Sequence, residues 1–333
     1  MKLHCFDSLP EGFLDAKAED LEKILPGPSL ISIPGDETKD PLFLSVLLHG
    51  NETTGFYAVQ RLLKESEGKL ARPLLLFVGN ISAAAKALRH LPEQRDYNRI
   101  WSGGHSAEQK LATALLEKLR EYKLFAGIDI HNNTGNNPYY GCINYLKPEF
   151  LNLAREFSST LVYFIKPDSV LSMALSKLCP AITIECGVSG EEAGIEYVMN
   201  FIKHCIDLED LSSEYATDDL NIYHTIGRII LPQGATLGFG EDLEDLDFSF
   251  VQDLDQLNFQ DLDPGTVLGW RNNFDLKLSV LDESGEDVSD KYIEYQGREI
   301  TLQSKITPAM FTLDTEVIHQ DCLGYVMEHY LVK

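Results

Sequence analysis

Positive charge is scarce in this chain. Only 28 Lys and Arg stand against 52 Asp and Glu in 333 residues, a formal net charge of −24. A nucleic-acid backbone or an anionic membrane surface needs a basic face, so neither is expected as the main partner. No stretch of about 18 consecutive apolar residues occurs, so no membrane-spanning helix is expected. The first 25 residues carry early acidic side chains and no apolar run leading to a small-residue cleavage site, unlike a secretory signal. Cysteine is sparse and scattered: Cys5, Cys142, Cys179, Cys186, Cys205 and Cys322 include no C-x-x-C pair. Such spacing reads as reduced thiols in a cytoplasmic protein rather than as a disulfide framework. No repeat of solenoid period is visible.

What is present is enough apolar material for a large core, 44% of the chain, with 10% aromatic residues. Residues 42–48 (LFLSVLL) are a continuous apolar run that enters HGNE and then the helical spacing of GFYAVQRLLKES. This is the pattern of a buried strand feeding a helix. LLLFV (74–78), FAGIDI (125–130), LVYFI (161–165) and AITIE (181–185) repeat it. Between and after them, 105–122, 169–178 and 191–208 have helical periodicity. The alternation predicts an α/β fold: a mixed, mostly parallel sheet with helices on both faces, over residues 1–213. From 214 to 333 the runs become short and β-like, with Gly, Pro, Asp and Asn between them, which predicts a smaller, mostly β domain. Within it, 241–263 holds nine Asp and Glu with no Lys or Arg, and lacks the Gly-centred loop and closing Glu of an EF-hand. It reads as a solvated acidic loop.

The residues that carry chemistry stand at the ends of the predicted strands, where open α/β sheets bind their ligands. His49 and Glu52, in HGNE, follow the first core strand. On their own they read as well as a strand-end His and a Glu favoured by a helix N-terminus. His131 ends FAGIDIH, and strand alternation puts Asp129 on the same face. Both are costly to bury unless paired or bound to metal. Together His49, Glu52 and His131 are the kind of donor set that holds a catalytic Zn²⁺, with Asp129 able to fix the His131 tautomer. Glu185 closes AITIE beside Cys186 and Gly187, and packing explains a carboxylate there poorly. Next to activated water it can act as general base and then as proton donor. In RDYNRIW, Asn98 and Arg99 suit capture of a substrate carboxylate, and Arg89, His90 and Arg95 crowd the same loop, where any one of them also reads as a surface residue. The segment 132–141 (NNTGNNPYYG) is rich in amides and tyrosines, as a pocket lining or a set of turns would be.

The order HGNE, N-x-x-A, DYNR, D-x-H-N-x-T and E-C-G resembles the succinylglutamate desuccinylase/aspartoacylase family of zinc carboxypeptidase-like hydrolases, over about residues 42–205. The resemblance implies that His49, Glu52 and His131 bind zinc and that Glu185 is the catalytic base. It further implies that Asn98 and Arg99 grip the substrate carboxylate and that Asn80 opens the loop towards them. Two positions depart from the family. Its transition-state arginine stands eight residues before the Arg of D-x-N-R, where this chain has Leu91, so Arg89 takes that role only with a loop of different length. Aspartoacylases also place an arginine ten residues before the catalytic Glu, where this chain has Leu175, which argues against N-acetylaspartate as substrate.

The expected function is zinc-dependent hydrolysis of the amide bond of an N-acyl amino acid or related small compound. The alternatives are a zinc carboxypeptidase acting on peptides and a non-catalytic zinc- or ligand-binding protein of the same fold. Homo-oligomerisation is left open.

Overall fold

The computed structural model describes residues 1–67, 69–212, 219–241, 243 and 245–331. The chain divides into two units, Met1–Asn132 with Tyr139–Leu220, and Asn133–Pro138 with Asn221–Lys333. The boundary expected at 213/214 lies outside the described residues.

The first unit contains β1 (His4–Phe6), β2 (Ser29–Ile33), β3 (Leu42–Val46), α1 (Thr54–Glu65), β4 (Leu74–Val78), α2 (Ile81–Ala84) and α3 (Ala107–Leu119). It continues with β5 (Ala126–His131), β6 (Tyr140–Ile143), α4 (Pro148–Arg155), β7 (Thr160–Tyr163), α5 (Leu171–Leu175), β8 (Ala181–Glu185) and α6 (Glu192–Asp207). The strands pair in the order β1-β2-β4-β3-β5-β8-β6-β7. The central four, β4, β3, β5 and β8, are parallel. At each side a pair runs the other way, with β2 antiparallel to β4 and β6 antiparallel to β8. The sheet is mixed and mostly parallel.

Every residue of β3 and β4 is buried, as central parallel strands with both faces covered require. On one face Phe43, Leu75 and Phe77 pack with Leu111, Leu115 and Leu119 of α3 and with Leu171 and Leu175 of α5. On the other, α1 lies so close that a Cβ on Gly55 would stand 2.7 Å from Ile130 Cγ2 and 3.1 Å from Val46 Cγ1. Helices therefore cover both faces. The start of α3 is set by a capping box: Ser106 Oγ accepts from the Gln109 N–H, and Gln109 Oε1 accepts from the Ser106 N–H, both at 3.1 Å.

The second unit contains β9 (Asn221–Ile230), β10 (Leu237–Phe239), β11 (Phe248–Phe250), β12 (Val267–Arg271) and β13 (Ser279–Leu281). It ends with α7 (Ser289–Tyr292), β14 (Ile293–Gln296), β15 (Glu299–Leu302), β16 (Thr307–Ala309), α8 (Thr315–Gln320) and β17 (Gly324–His329). β9 pairs antiparallel with β13 and β17, and β17 with β16. A separate five-stranded sheet runs β10-β11-β12-β15-β14. One expectation is corrected here. The acidic stretch is not simply a solvated loop, because Phe248 and Phe250 of β11, with Leu254 and Leu262, lie in this unit's core. Its acids punctuate the strand: Asp247 accepts from the Thr236 N–H at 2.8 Å and from Asn273 Nδ2 at 2.9 Å. Asp242 and Glu244 lie outside the described residues. Among the described residues no helix is long and apolar enough to cross a membrane.

Candidate metal centre

The centre forms where β3, β5 and β8 end. After β3 the backbone reverses through Leu47, a buried residue at φ 57, in the left-handed region that non-glycine residues seldom occupy. Such a conformation costs on the order of 1 kcal/mol or more and needs support from its surroundings. The Asn80 N–H supplies it by donating to the Leu47 carbonyl at 2.6 Å. Three residues on, Gly50 packs against α2 so tightly that a Cβ would stand 2.1 Å from Ala84 N, which accounts for the glycine in HGNE. The turn then closes with the Glu52 N–H donating to the His49 carbonyl at 3.2 Å.

The result brings His49, Glu52 and His131 together, all buried, with one ligating atom of each within 4.8 Å of the others. Glu52 Oε1 lies 2.6 Å from His49 Nδ1, and Glu52 Oε2 lies 2.7 Å from His131 Nδ1. Each ring is held from behind through its other nitrogen. Asp96 Oδ1 is 3.0 Å from His49 Nε2, and Asp129 Oδ2 is 2.9 Å from His131 Nε2. This is the carboxylate–histidine arrangement that orients imidazoles toward a metal.

The electrostatics agree with the geometry. Burial opposes charge on Glu52, yet His49 and His131 hold its carboxyl well below the usual range. Burial likewise opposes charge on the His131 ring, yet Asp129 and Glu52 hold it well above the usual imidazole range. Three carboxylates thus converge on two imidazoles in a buried space. Two imidazole nitrogens and a carboxylate oxygen are the donor types of a catalytic Zn²⁺ site, so the residues fit that ion.

Glu185 stands beside this set, in register with His131 across the parallel β5–β8 pair. The Cys186 N–H donates to the His131 carbonyl at 3.0 Å, locking the strand ends together. Glu185 Oε2 is buried without a hydrogen-bond partner among the described residues, and burial pushes its carboxyl up to about 8. An unpaired buried carboxylate of raised proton affinity next to a donor set has the properties of an acid–base group.

Arg89 lies at the rim, with Nη1 3.8 Å from Glu52 Oε1 and with Nε and Nη2 on Asp96 Oδ2 at 3.1 and 2.9 Å. Its carbonyl accepts the Gly50 N–H at 3.1 Å, which pins the arginine loop to the HGNE turn. Asn98 Nδ2 is 3.4 Å from His131 Nε2, and Asn98 Oδ1 accepts the Leu171 N–H at 3.2 Å. Arg99 is half-buried, with Nη1 donating to the Asn98 carbonyl at 3.0 Å. Asn80 is fully buried with both polar groups engaged: Oδ1 accepts from Ala83 N–H at 3.2 Å, capping α2, and Nδ2 donates to Gln94 Oε1 at 2.9 Å. Its contacts shape the loop between Arg89 and Asp96.

Sequence reading gave no role to Asp96, although it stands inside D-Y-N-R. Asn132, which follows His131, has a place in the sequence only as part of the amide-rich 132–141 segment and the D-x-H-N-x-T motif, with no role of its own. Leu175 is a core residue of α5, 3.1 Å from where a Cβ of Gly127 would stand, four positions before His131 on β5. The amide-rich segment divides: residues 133–138 belong to the second unit, where Thr134 Oγ1 bonds Thr312 Oγ1 at 2.8 Å and Asn137 Oδ1 accepts the Met310 N–H at 3.0 Å.

The model of the succinylglutamate desuccinylase/aspartoacylase catalytic domain matches residues 40–205. No curated protein matches the chain. Solved structures share the fold. The chain superposes on the succinylglutamate desuccinylase of Chromobacterium violaceum with a TM-score of 0.58 at 17% identity, covering 88% of this chain and 85% of that one. For the succinylglutamate desuccinylase/aspartoacylase of Rhodobacter sphaeroides the TM-score is 0.61 at 15% identity, with 91% and 89% covered. For murine aminoacylase 3 it is 0.52 at 17% identity, with 87% and 95% covered.

Proposed function

Residues 40–205 belong to the succinylglutamate desuccinylase/aspartoacylase catalytic-domain family, and on that premise we propose that the chain is a zinc-dependent amidohydrolase acting on an N-acyl amino acid or a related small compound. The observation that carries this reading is the buried His49–Glu52–His131 set with the unpaired carboxylate oxygen of Glu185 on the neighbouring strand end.

His49, Glu52 and His131 would hold the zinc, which when bound supplies a Lewis acid that polarises a carbonyl and makes water more acidic. The protein's own groups do the rest. Asp96 and Asp129 keep the two imidazoles turned toward the centre. Glu185 takes a proton from the attacking water on its free oxygen and delivers it to the leaving amine nitrogen, a task suited to a carboxyl raised by burial. Arg89, at the edge of the set, faces the negative charge that develops on the carbonyl oxygen. Asn98 and Arg99 hold the carboxylate of the amino-acid part and set its orientation, worth several kcal/mol of barrier in well-aligned sites.

The test is amine release from a panel of N-acetyl and N-succinyl amino acids, with dipeptides alongside. Hydrolysis of at least one N-acyl amino acid, faster than of any dipeptide, is expected. Turnover of dipeptides alone would replace this reading with a carboxypeptidase. Zinc bound without turnover of any compound would leave a binding protein.

A further inference from the structure

We infer that Asn132 is a positioning residue that sets Glu185 in register with the ligand Glu52. The inference rests on the reading of Glu185 as the base. Asn132 follows the ligand His131, is buried, and has four hydrogen bonds, three to the Glu52–Thr54 stretch and one to the turn after β8. Its N–H donates to Glu52 Oε2 at 3.2 Å. Its Oδ1 accepts the Thr54 N–H at 3.3 Å, at the first residue of α1. Its Nδ2 donates to Thr54 Oγ1 at 3.0 Å and to the Gly187 carbonyl at 2.9 Å, two residues beyond Glu185.

Glu185 itself is paired with His131 of β5 and Tyr140 of β6, so what remains to be fixed is the turn that follows it. Gly187 sits at φ 72, and a Cβ there would stand 2.7 Å from the Tyr139 ring, so the chain turns under an aromatic lid that only glycine tolerates. What holds the turn to the metal side is a short set of polar contacts. Beside the Asn132 bond, the Gly190 N–H donates to Thr54 Oγ1 at 3.3 Å, and Ser189 Oγ accepts the Thr53 N–H at 2.9 Å. Asn132 is the member that touches all the parts: it adjoins one ligand, bonds a second, and holds the turn that carries the base. Its backbone bond to Glu52 survives any side-chain change, so loss of the side chain frees the Glu185 turn more than it disturbs the ligands.

The test is Asn132→Leu, close in volume and uncharged, read in three ways. Amide exchange at Thr54 and Gly190 should quicken at least about tenfold while β5 and β8 keep their protection. The kcat should fall roughly 10- to 100-fold, with KM and zinc affinity (by chelator competition) within about threefold of wild type. If this variant does not fold, Thr54→Val, which removes the shared acceptor of Asn132 and Gly190, should show the same pattern. Unchanged exchange at Gly190, or a kcat loss matched by an equal loss of zinc affinity, overturns the inference. If wild type hydrolyses nothing on the panel, the proposed reaction fails, and the exchange result alone still decides whether Asn132 holds the turn.

Discussion

Arg89 and His49 share one carboxylate. Asp96 takes two nitrogens of Arg89 on Oδ2, at 2.9 and 3.1 Å, while its Oδ1 lies 3.0 Å from His49 Nε2. Burial works against the charge on Asp96, but His49 and Arg89 hold its carboxyl well below the usual range, so it stays an anion at neutral pH. One side chain thereby ties His49 to Arg89.

The two partners of Asp96 are separable by substitution. Arg89→Lys keeps the charge but loses the fork, and should lower kcat by about 10²- to 10³-fold with zinc content unchanged. Asp96→Asn should also weaken zinc binding, by roughly 10- to 100-fold, because His49 loses its anionic support. Steady-state kinetics beside metal analysis checks both. An Arg89→Lys enzyme of full activity would remove Arg89 from the proposed chemistry.

Leu175 makes a different case. It is fully buried among the helices packed under the sheet, so Leu175→Ala should destabilise the fold by about 2–5 kcal/mol. An arginine there would bury a charge without a partner, so Leu175→Arg should yield insoluble or unfolded protein rather than a new specificity. N-acetylaspartate should be a poor substrate of wild type. A folded Leu175→Arg chain that gained activity on N-acetylaspartate would contradict the placement of this side chain.

Acid stability should depend on Asp261 in the second unit. Hydrogen bonds from Lys305 and Thr307 pull its carboxyl down to about 2, at 2.8 and 2.7 Å. The folded state therefore releases this proton more readily than the unfolded chain, whose carboxyl has the ordinary value of 3.8. Its stabilisation is complete above about pH 4 and is lost as pH falls toward 2. Asp261→Asn should flatten that part of an acid-unfolding curve. It should change Tm little at neutral pH, since exposed pairs contribute about 0–1 kcal/mol. An unaltered acid slope would show that the contacts do not form.

Much of the first unit was legible because its strands are continuous apolar runs. LLLFV and AITIE became β4 and β8 at their expected residues. His49, His131 and Glu185 each close such a run and are costly to bury, whereas Glu52 reads as a ligand only together with them. What stayed hidden depends on non-local structure. The double role of Asp96 exists only once the loop folds back on the HGNE turn. β11 is three residues long and its flanking acids disguise it, although its phenylalanines are fully buried. The passage of 133–138 into the second unit has no signal in turn chemistry, which reads alike wherever a turn docks.

That His49, Glu52 and His131 hold a zinc which Glu185 serves is tested by zinc content and N-acyl amino acid hydrolysis, measured together for wild type, Glu52→Gln, His131→Ala and Glu185→Gln. About one zinc per wild-type chain is expected. Glu52→Gln and His131→Ala should lose it, and Glu185→Gln should keep it while kcat falls by about 10²- to 10⁴-fold. A wild-type protein without zinc, or zinc retained in both ligand variants, would contradict it.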